Sequence, residues 1–405
     1  MRNTGMVVVA MVAVCAVGAE AAMANAEALP DKKTECRWRQ GDFTGKLYRQ
    51  LAKDCGNFVF SPYGVGSVCA LMATGANGET LDAFVKTLGL PTKDPDKIAQ
   101  IFGSEKKRLG GVVELSDSIW LFRGFKPYGA FRSRAVDVFL AEARNTEGGA
   151  AAMCDINAYV NEKTHGKIPQ LLFDPPSEYT VLAAVNTVYL NAIWACPFDE
   201  EKTRSEEFTT LSGRTVEVPF MHGNIAARIY DTEGFEVLSL PYSCGNLEMM
   251  FLLPDEGVKI SRIEALLSES FLNDLMHSSG WSDCGVDVSL PKFEFEDRHD
   301  IAKALKVLGL DVAFDPSRAD FSGMAPISPD KNIYLSEAMQ VVKIKTDEKK
   351  TEAVAATYSE VAAEGAAFFR PWFNANRPFI FMLRDSKTGS IFFAGRVANP
   401  SRLWL

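Results

Sequence analysis

The chain has 405 residues, 52 acidic against 43 basic side chains, a formal charge of −9, and 47% hydrophobic and 11% aromatic residues. That composition belongs to a folded protein rather than a disordered one, and the excess of acid argues against a general nucleic-acid binder, which needs a basic footprint. Eight cysteines are too few for a disulfide-built scaffold at this length, where a core can stabilise itself.

The first residues read as an export signal. Arg2 gives a positive start, Met6 to Val17 is an apolar run, and Ala22-Met23-Ala24 or Ala24-Asn25-Ala26 offers a small-x-small cleavage site. The run is shorter than the roughly 20 residues of a spanning helix, so removal of residues 1–26 is expected rather than anchoring. The mature chain, 27–405, is then secreted, to an extracellular or periplasmic space. It keeps an odd number of cysteines, so at least one is unpaired or pairs between chains. Cys36 and Cys55 are the only pair close in sequence.

Length alone suggests two or three domains, but there is no repeat, low-complexity tract or Gly/Ser linker, so 27–405 reads as one large domain. Phe43 to Leu51 has a helical pattern. Ser61 as cap and Pro62 at the first helical position start a second helix, expected to reach about Ala76. Glu79 to Leu88 forms a third. Val112 to Leu121 and Thr180 to Asn191 read as strands. The second is almost continuously apolar, as in a strand buried on both faces, and Asn186 inside it must find hydrogen-bond partners. Ile156 to Leu172 reads as a helix broken near Gly166. Leu247 to Leu253, Val286 to Phe295, and Phe379 to Leu383 paired with Ile391 to Ala394 read as strands. Helices come early and strands late, which makes the class α+β.

No catalytic constellation is present. His165, His222, His277 and His299 lack metal-ligand spacing with one another or with cysteine, and they read as exposed or turn histidines. There is no Gly-x-Ser-x-Gly elbow and no Gly-x-Gly-x-x-Gly or Walker loop. Lys106-Lys107-Arg108 is the only tight basic cluster and reads as a solvated helix end. The chain is not expected to be an enzyme.

The most unusual stretch runs from Thr351 to Gly365. Its Ala and Glu content suits a helix, and Glu352, Glu360 and Glu364 are spaced by multiples of four. Period two describes it better. Thr351, Ala353, Ala355, Thr357, Ser359, Val361 and Ala363 share one parity and carry no charge, while every charge lies on the other, as in a strand with one buried face. Glu364-Gly365-Ala366-Ala367 also suits an exposed, cleavable loop.

At this point the chain resembles the serpins, a family of serine-protease inhibitors that insert a reactive loop into a β-sheet. The resemblance runs through Asn57-Phe58-Val59-Phe60-Ser61-Pro62, Thr164-His165-Gly166-Lys167-Ile168, Val185-Asn186-Thr187-Val188-Tyr189-Leu190 up to Trp194, and Leu290-Pro291-Lys292-Phe293. It continues in Asp320-Phe321-Ser322-Gly323-Met324, Asn376-Arg377-Pro378-Phe379 and Phe393-Ala394-Gly395-Arg396-Val397. It implies a single serpin domain with a large central sheet, further sheets, a helical N-terminal part and an exposed reactive loop at about 348–373.

The resemblance also assigns the family's hinge to Glu348, Lys350, Thr351, Ala353, Ala355, Ala356 and Thr357. Lys350 stands where the family has glycine. The sheet-opening region falls on Ser61, Asn186, Gln340 and Trp194, with Gln340 in place of a common histidine and Gly64 in place of a common serine. Counting sixteen residues from Glu348 puts the scissile bond at Glu364–Gly365, which implies a Glu-specific target. The neighbouring alanines would suit an elastase-like one. The implied partner is a serine protease held as a covalent acyl complex. No cofactor, no nucleic acid and no membrane after signal removal are implied, and the acidic balance argues against a heparin-like cofactor. The alternative is a non-inhibitory serpin whose loop is cleaved as a substrate.

Overall fold

The computed structural model describes residues 5–17, 37–53, 56–109, 113–122, 124–243, 246–326, 332–348 and 371–401. The apolar run read above as the heart of an export signal forms β1 (Gly5–Val17). Its valines favour extended backbone. Then come α1 (Gly41–Leu51), β2 (Phe58–Phe60) and α2 (Pro62–Ala73). Ser61 caps α2 by accepting from the Gly64 N–H at 3.0 Å, which satisfies one of the orphan donors of the first turn. The helix stops short of the expected Ala76, and Asn77 leads directly into α3 (Gly78–Leu88).

After α4 (Pro95–Leu109) and β3 (Val113–Phe122), α5 (Gly129–Ser133) and β4 (Glu142–Thr146) lead into α6 (Gly149–Lys163). The helix expected to 172 ends here. His165 and Gly166 are both left-handed, with φ of 50° and 78°. Thr164 Oγ1 donates to the Val160 carbonyl and accepts from the Ile168 N–H, drawing the chain into a turn.

Next is β5 (Thr180–Ala192). It is followed by β6 (Arg204–Thr209), β7 (Thr215–Thr232), β8 (Phe235–Pro241) and β9 (Leu247–Pro254). Two short helices, α7 (Ser261–Leu266) and α8 (Glu269–His277), precede β10 (Ser282–Pro291) and β11 (Phe293–Asp300). The single strand expected over Val286 to Phe295 is thus two strands that meet at Lys292 and belong to different sheets. Last come α9 (Ile301–Leu305), β12 (Ile333–Thr346), β13 (Trp372–Asn374), β14 (Phe379–Asp385) and β15 (Ile391–Val397).

Among the described residues the strands form two sheets. The central sheet has the order β11-β12-β1-β5-β3-β4, and the other is a nine-stranded sheet. The apolar run of β5 reflects burial on both faces. Leu182, Ala184, Val188 and Leu190 face the main core, which also includes Val65, Val68 and Leu71 of α2. Ala183, Val185 and Tyr189 face a second cluster with Ile156, Tyr159 and Val160 of α6. The central sheet is therefore covered by α2 on one side and α6 on the other.

Candidate functional site: the gap between β5 and β12

Two groups of side chains hold the strands that flank β1. The first lies midway along them, where α2 crosses beneath the sheet. Gln340 of β12 is fully buried. Its amide oxygen accepts from the Ser61 N–H and its amide nitrogen donates to the Ser61 carbonyl, both at 3.0 Å. Glutamine carries one donor and one acceptor group, so one side chain satisfies both backbone groups at the helix entrance. Opposite Gln340 on β11 stands His299, whose Nε2 contacts the Val59 carbonyl at 2.7 Å.

On the β5 side the anchor is ionic. Asn186 pairs in register with Asp117 of β3, and its amide donates to Asp117 Oδ1 at 2.9 Å. The other carboxylate oxygen accepts from Ser67 of α2 at 2.9 Å and from Lys106 of α4 at 2.6 Å. The Asp117 side chain is wholly buried and that of Lys106 is 6% exposed. Lys106 also donates to the Phe139 carbonyl at 3.1 Å. A charge pair this deep holds because nearly every lone pair and proton has a partner.

Gly64 belongs to this arrangement. A Cβ at that position would lie 2.5 Å from Asn186 Oδ1 and 3.1 Å from Ser61 Oγ. Glycine therefore leaves room for the Asn186 amide, and the serine common in the resembling family would displace it.

The second group lies at the end of the strands. Trp194, two residues past β5, is buried. It stacks on Tyr242 with ring centroids 4.6 Å apart, and its indole N–H donates to the Asp347 carbonyl at 3.1 Å. The next residue, Glu348, accepts from Thr203 Oγ1 at 2.5 Å and from Lys292 Nζ at 2.6 Å. Burial pushes the Glu348 carboxyl up. The hydrogen bonds from Lys292 and Thr203 outweigh that and hold it below the ordinary carboxylate range. The last described residue before 349–370 is thus clamped at the mouth of the gap.

Ser61 and Gln340 touch each other, Asn186 lies across the gap from them, and Trp194 is eight residues further on, roughly 26 Å at the rise of a strand. The four sequence-assigned residues therefore divide between a midpoint and a hinge end. Lys350, Thr351, Ala353, Ala355, Ala356, Thr357, Glu364 and Gly365 lie outside the described residues, as do Cys36 and Cys55. Sequence reasoning missed Asp117, Lys106, Ser67, Thr203 and Lys292. Only their type signals a role, since a lone Asp inside the apolar strand β3 demands a buried partner.

Two sequence expectations about side chains need correction. Lys106-Lys107-Arg108 is not a solvated end, because Lys106 is buried on Asp117 and Arg108 pairs with Glu105 at 2.7 Å and Asp385 at 2.8 Å. Nor are all four histidines exposed or in turns. His222 bonds Ser289 and, like His299, its side chain is little exposed. Among the described residues no group of three or more His, Cys, Asp or Glu is placed to hold a metal ion, and no helix is long and apolar enough to cross a membrane.

Comparison with known proteins extends the picture. The family model described as serpin (serine protease inhibitor) matches residues 39–400. An uncharacterized serpin-like protein of Thermococcus kodakarensis is 31% identical over 88% of this chain and 84% of its own. Among solved structures, the thermophilic serpin tengpin in its native state superposes with a TM-score of 0.79 at 27% identity, covering 93% of this chain and 97% of its own. Human thyroxine-binding globulin complexed with its hormone gives 0.77 at 28%, covering 90% and 98%. Native protease nexin-1 with heparin gives 0.75 at 26%, covering 90% and 98%.

Proposed function

The chain belongs to the serpin family, and from that premise we propose that it inhibits a serine endopeptidase as a suicide substrate. Family members are mostly inhibitors rather than catalysts. The observation that carries the reading for this chain is the clamp at Glu348. It holds the chain just before the loop segment at the end of β12, beside the slot between β5 and β12 that β1 occupies in this structure, so a loop freed at its far end would fold back along β12 once that slot is open.

In this reading the protease serine attacks the carbonyl carbon of Glu364. The Glu364–Gly365 bond breaks, the Gly365 nitrogen takes the proton, and Glu364 is left as an ester on the protease. The loop then enters the sheet as a strand and carries the protease with it, distorting it before water can release it. Each ladder hydrogen bond nets roughly 1 kcal/mol, so about a dozen bonds plus buried side chains reach on the order of 10 kcal/mol. The uninserted state is then protected kinetically rather than by equilibrium. Thr351, Ala353, Ala355 and Thr357 on the inward parity leave insertion unobstructed. The target favours Glu, with an elastase-like enzyme served by the flanking alanines.

Export with removal of residues 1–26 belongs to the same reading. So does independence from heparin: Lys106 and Arg108 are committed to Asp117, Glu105 and Asp385, leaving Lys107 alone of the cluster. Protease nexin-1, solved with heparin, shows that the fold itself is compatible with such a cofactor.

Incubation with Glu-specific, elastase-like and chymotrypsin-like proteases tests the proposal. A complex that survives SDS, with a released C-terminal peptide beginning at Gly365, is the expected result. Cleaved chain without complex from all three would favour the second reading, a non-inhibitory serpin. Lys350 in place of the family's glycine is the feature that favours that outcome, since Lys resists backbone angles that Gly tolerates.

A further inference from the structure

The central sheet contains a strand that the proposed mechanism does not use. β1 lies between β5 and β12 and runs parallel to both. It pairs with β12 from Gly5 opposite Ile333 to Ala16 opposite Lys345, and with β5 from Met6 opposite Thr180 to Val17 opposite Ala192. Twelve residue pairs on each side take up both facing edges nearly from end to end. The strand finishes close to the hinge. Val17 is opposite the residue two before Trp194, and Ala16 is opposite the residue three before Glu348.

A loop that turns back at Glu348 needs the same edges in the opposite direction. It would run antiparallel to β12, whereas β1 runs parallel to it. Each N–H and C=O on the facing edges of β5 and β12 serves one neighbouring strand, so the two strands exclude one another.

Composition favours β1. Met6 to Val17 has no charge, no proline and no glycine, and six of its twelve residues are valine. Of the flanking strands β5 is buried on both faces, while β12 buries one face and leaves Glu337 and Lys345 on the other side at least partly exposed, so a wholly apolar run suits the β5 edge of the slot. The loop, in contrast, carries Glu352, Glu360 and Glu364 on one parity, and one of its faces would bring carboxylates with it.

We propose that residues 5–17 and the reactive loop compete for one slot, so that the chain folded with its N-terminal segment in the sheet is a closed form unable to inhibit, and only a chain that folds with that segment outside the slot is active. This rests on the loop-insertion reading above. Peptide-bond cleavage after Ala26 would not by itself open the sheet, because the strand is held by its ladder bonds. Activation requires that export keep the segment out of the sheet while the domain folds. A chain that fails to be exported then folds with its own leader in the slot and spares the proteases of the producing cell.

The experiment compares three proteins: residues 1–405, residues 27–405, and residues 1–405 carrying Val12→Pro, which removes a ladder donor at the middle of β1. Two readouts are taken, SDS-stable complex with an elastase-like or Glu-specific protease, and hydrogen exchange of amides in β5 and β12. The 27–405 chain and the Val12→Pro chain should form at least tenfold more complex than 1–405, and β5 and β12 amides should exchange at least tenfold faster in 27–405. Equal complex formation and equal exchange in 1–405 and 27–405 overturn the proposal. If 27–405 forms no complex, the inhibitory reading and the silencing role both fall. The exchange comparison then still decides whether β1 fills the slot, with slower exchange in 1–405 supporting it and equal exchange refuting it.

Discussion

The two strands that border the gap are held by different chemistry. On the β5 side, Asn186 and Asp117 are tied to α2 and α4 through Ser67 and the buried Lys106 ammonium. On the β12 side, the tie to the same helix α2 is a pair of neutral hydrogen bonds between Gln340 and the Ser61 backbone. A buried ion pair is costly to break because it leaves a stranded charge, whereas neutral hydrogen bonds exchange for other neutral bonds at about 1 kcal/mol each. The asymmetry is one of strength: β5 is anchored with β3 to α2 and α4 through a buried charge pair, and β12 is held to α2 by the weaker, neutral contact.

Mutations can break or sharpen this contrast. Asp117→Ala should have the largest effect, about 3–5 kcal/mol by denaturant unfolding, since it strands Lys106 in the interior. Adding Lys106→Met should recover part of that loss. If the double variant is no better than the single, the ion pair is not what anchors β5. Gln340→Ala should cost less, about 2–3 kcal/mol, by leaving the Ser61 N–H and carbonyl buried without partners. A cost equal to that of Asp117→Ala would erase the asymmetry. Gly64→Ala should cost about 1–3 kcal/mol through the contact with Asn186, and it should disappear in an Asn186→Ala background.

The smallest effect concerns the hinge. Glu348 has a lowered pKa in the folded chain. Its contribution to stability is therefore complete above the unfolded carboxylate value of about 4.3 and is lost as pH falls through the lower folded value. Trp194 fluorescence, which reports the neighbouring Asp347 contact, should change over that acid range in the native chain and stay flat in Glu348→Gln. An identical acid transition in both would remove Glu348 from the clamp.

Much of this was readable from local pattern. The cap at Ser61, the two-sided burial of β5, the hairpin of β14 and β15 and the α+β class follow from spacing and residue type, which act over a few residues. Glu348, Ser61, Asn186, Gln340 and Trp194 were singled out through motif resemblance. Their partners were not, because Lys292, Thr203, Asp117 and Lys106 come from distant parts of the chain and carry no periodicity that marks them.

Two features show the boundary most plainly. The run over Val286 to Phe295 looks like one strand because both of its halves are apolar in alternation, yet the chain changes sheets at Lys292, and only the competing sheet edges decide where. Met6 to Val17 is apolar enough for a membrane signal and for a central strand alike, because both environments exclude water. Its sequence determined that it must be sheltered. The tertiary structure decided where, since the open edges of β5 and β12 offer the backbone partners that an unpaired strand requires.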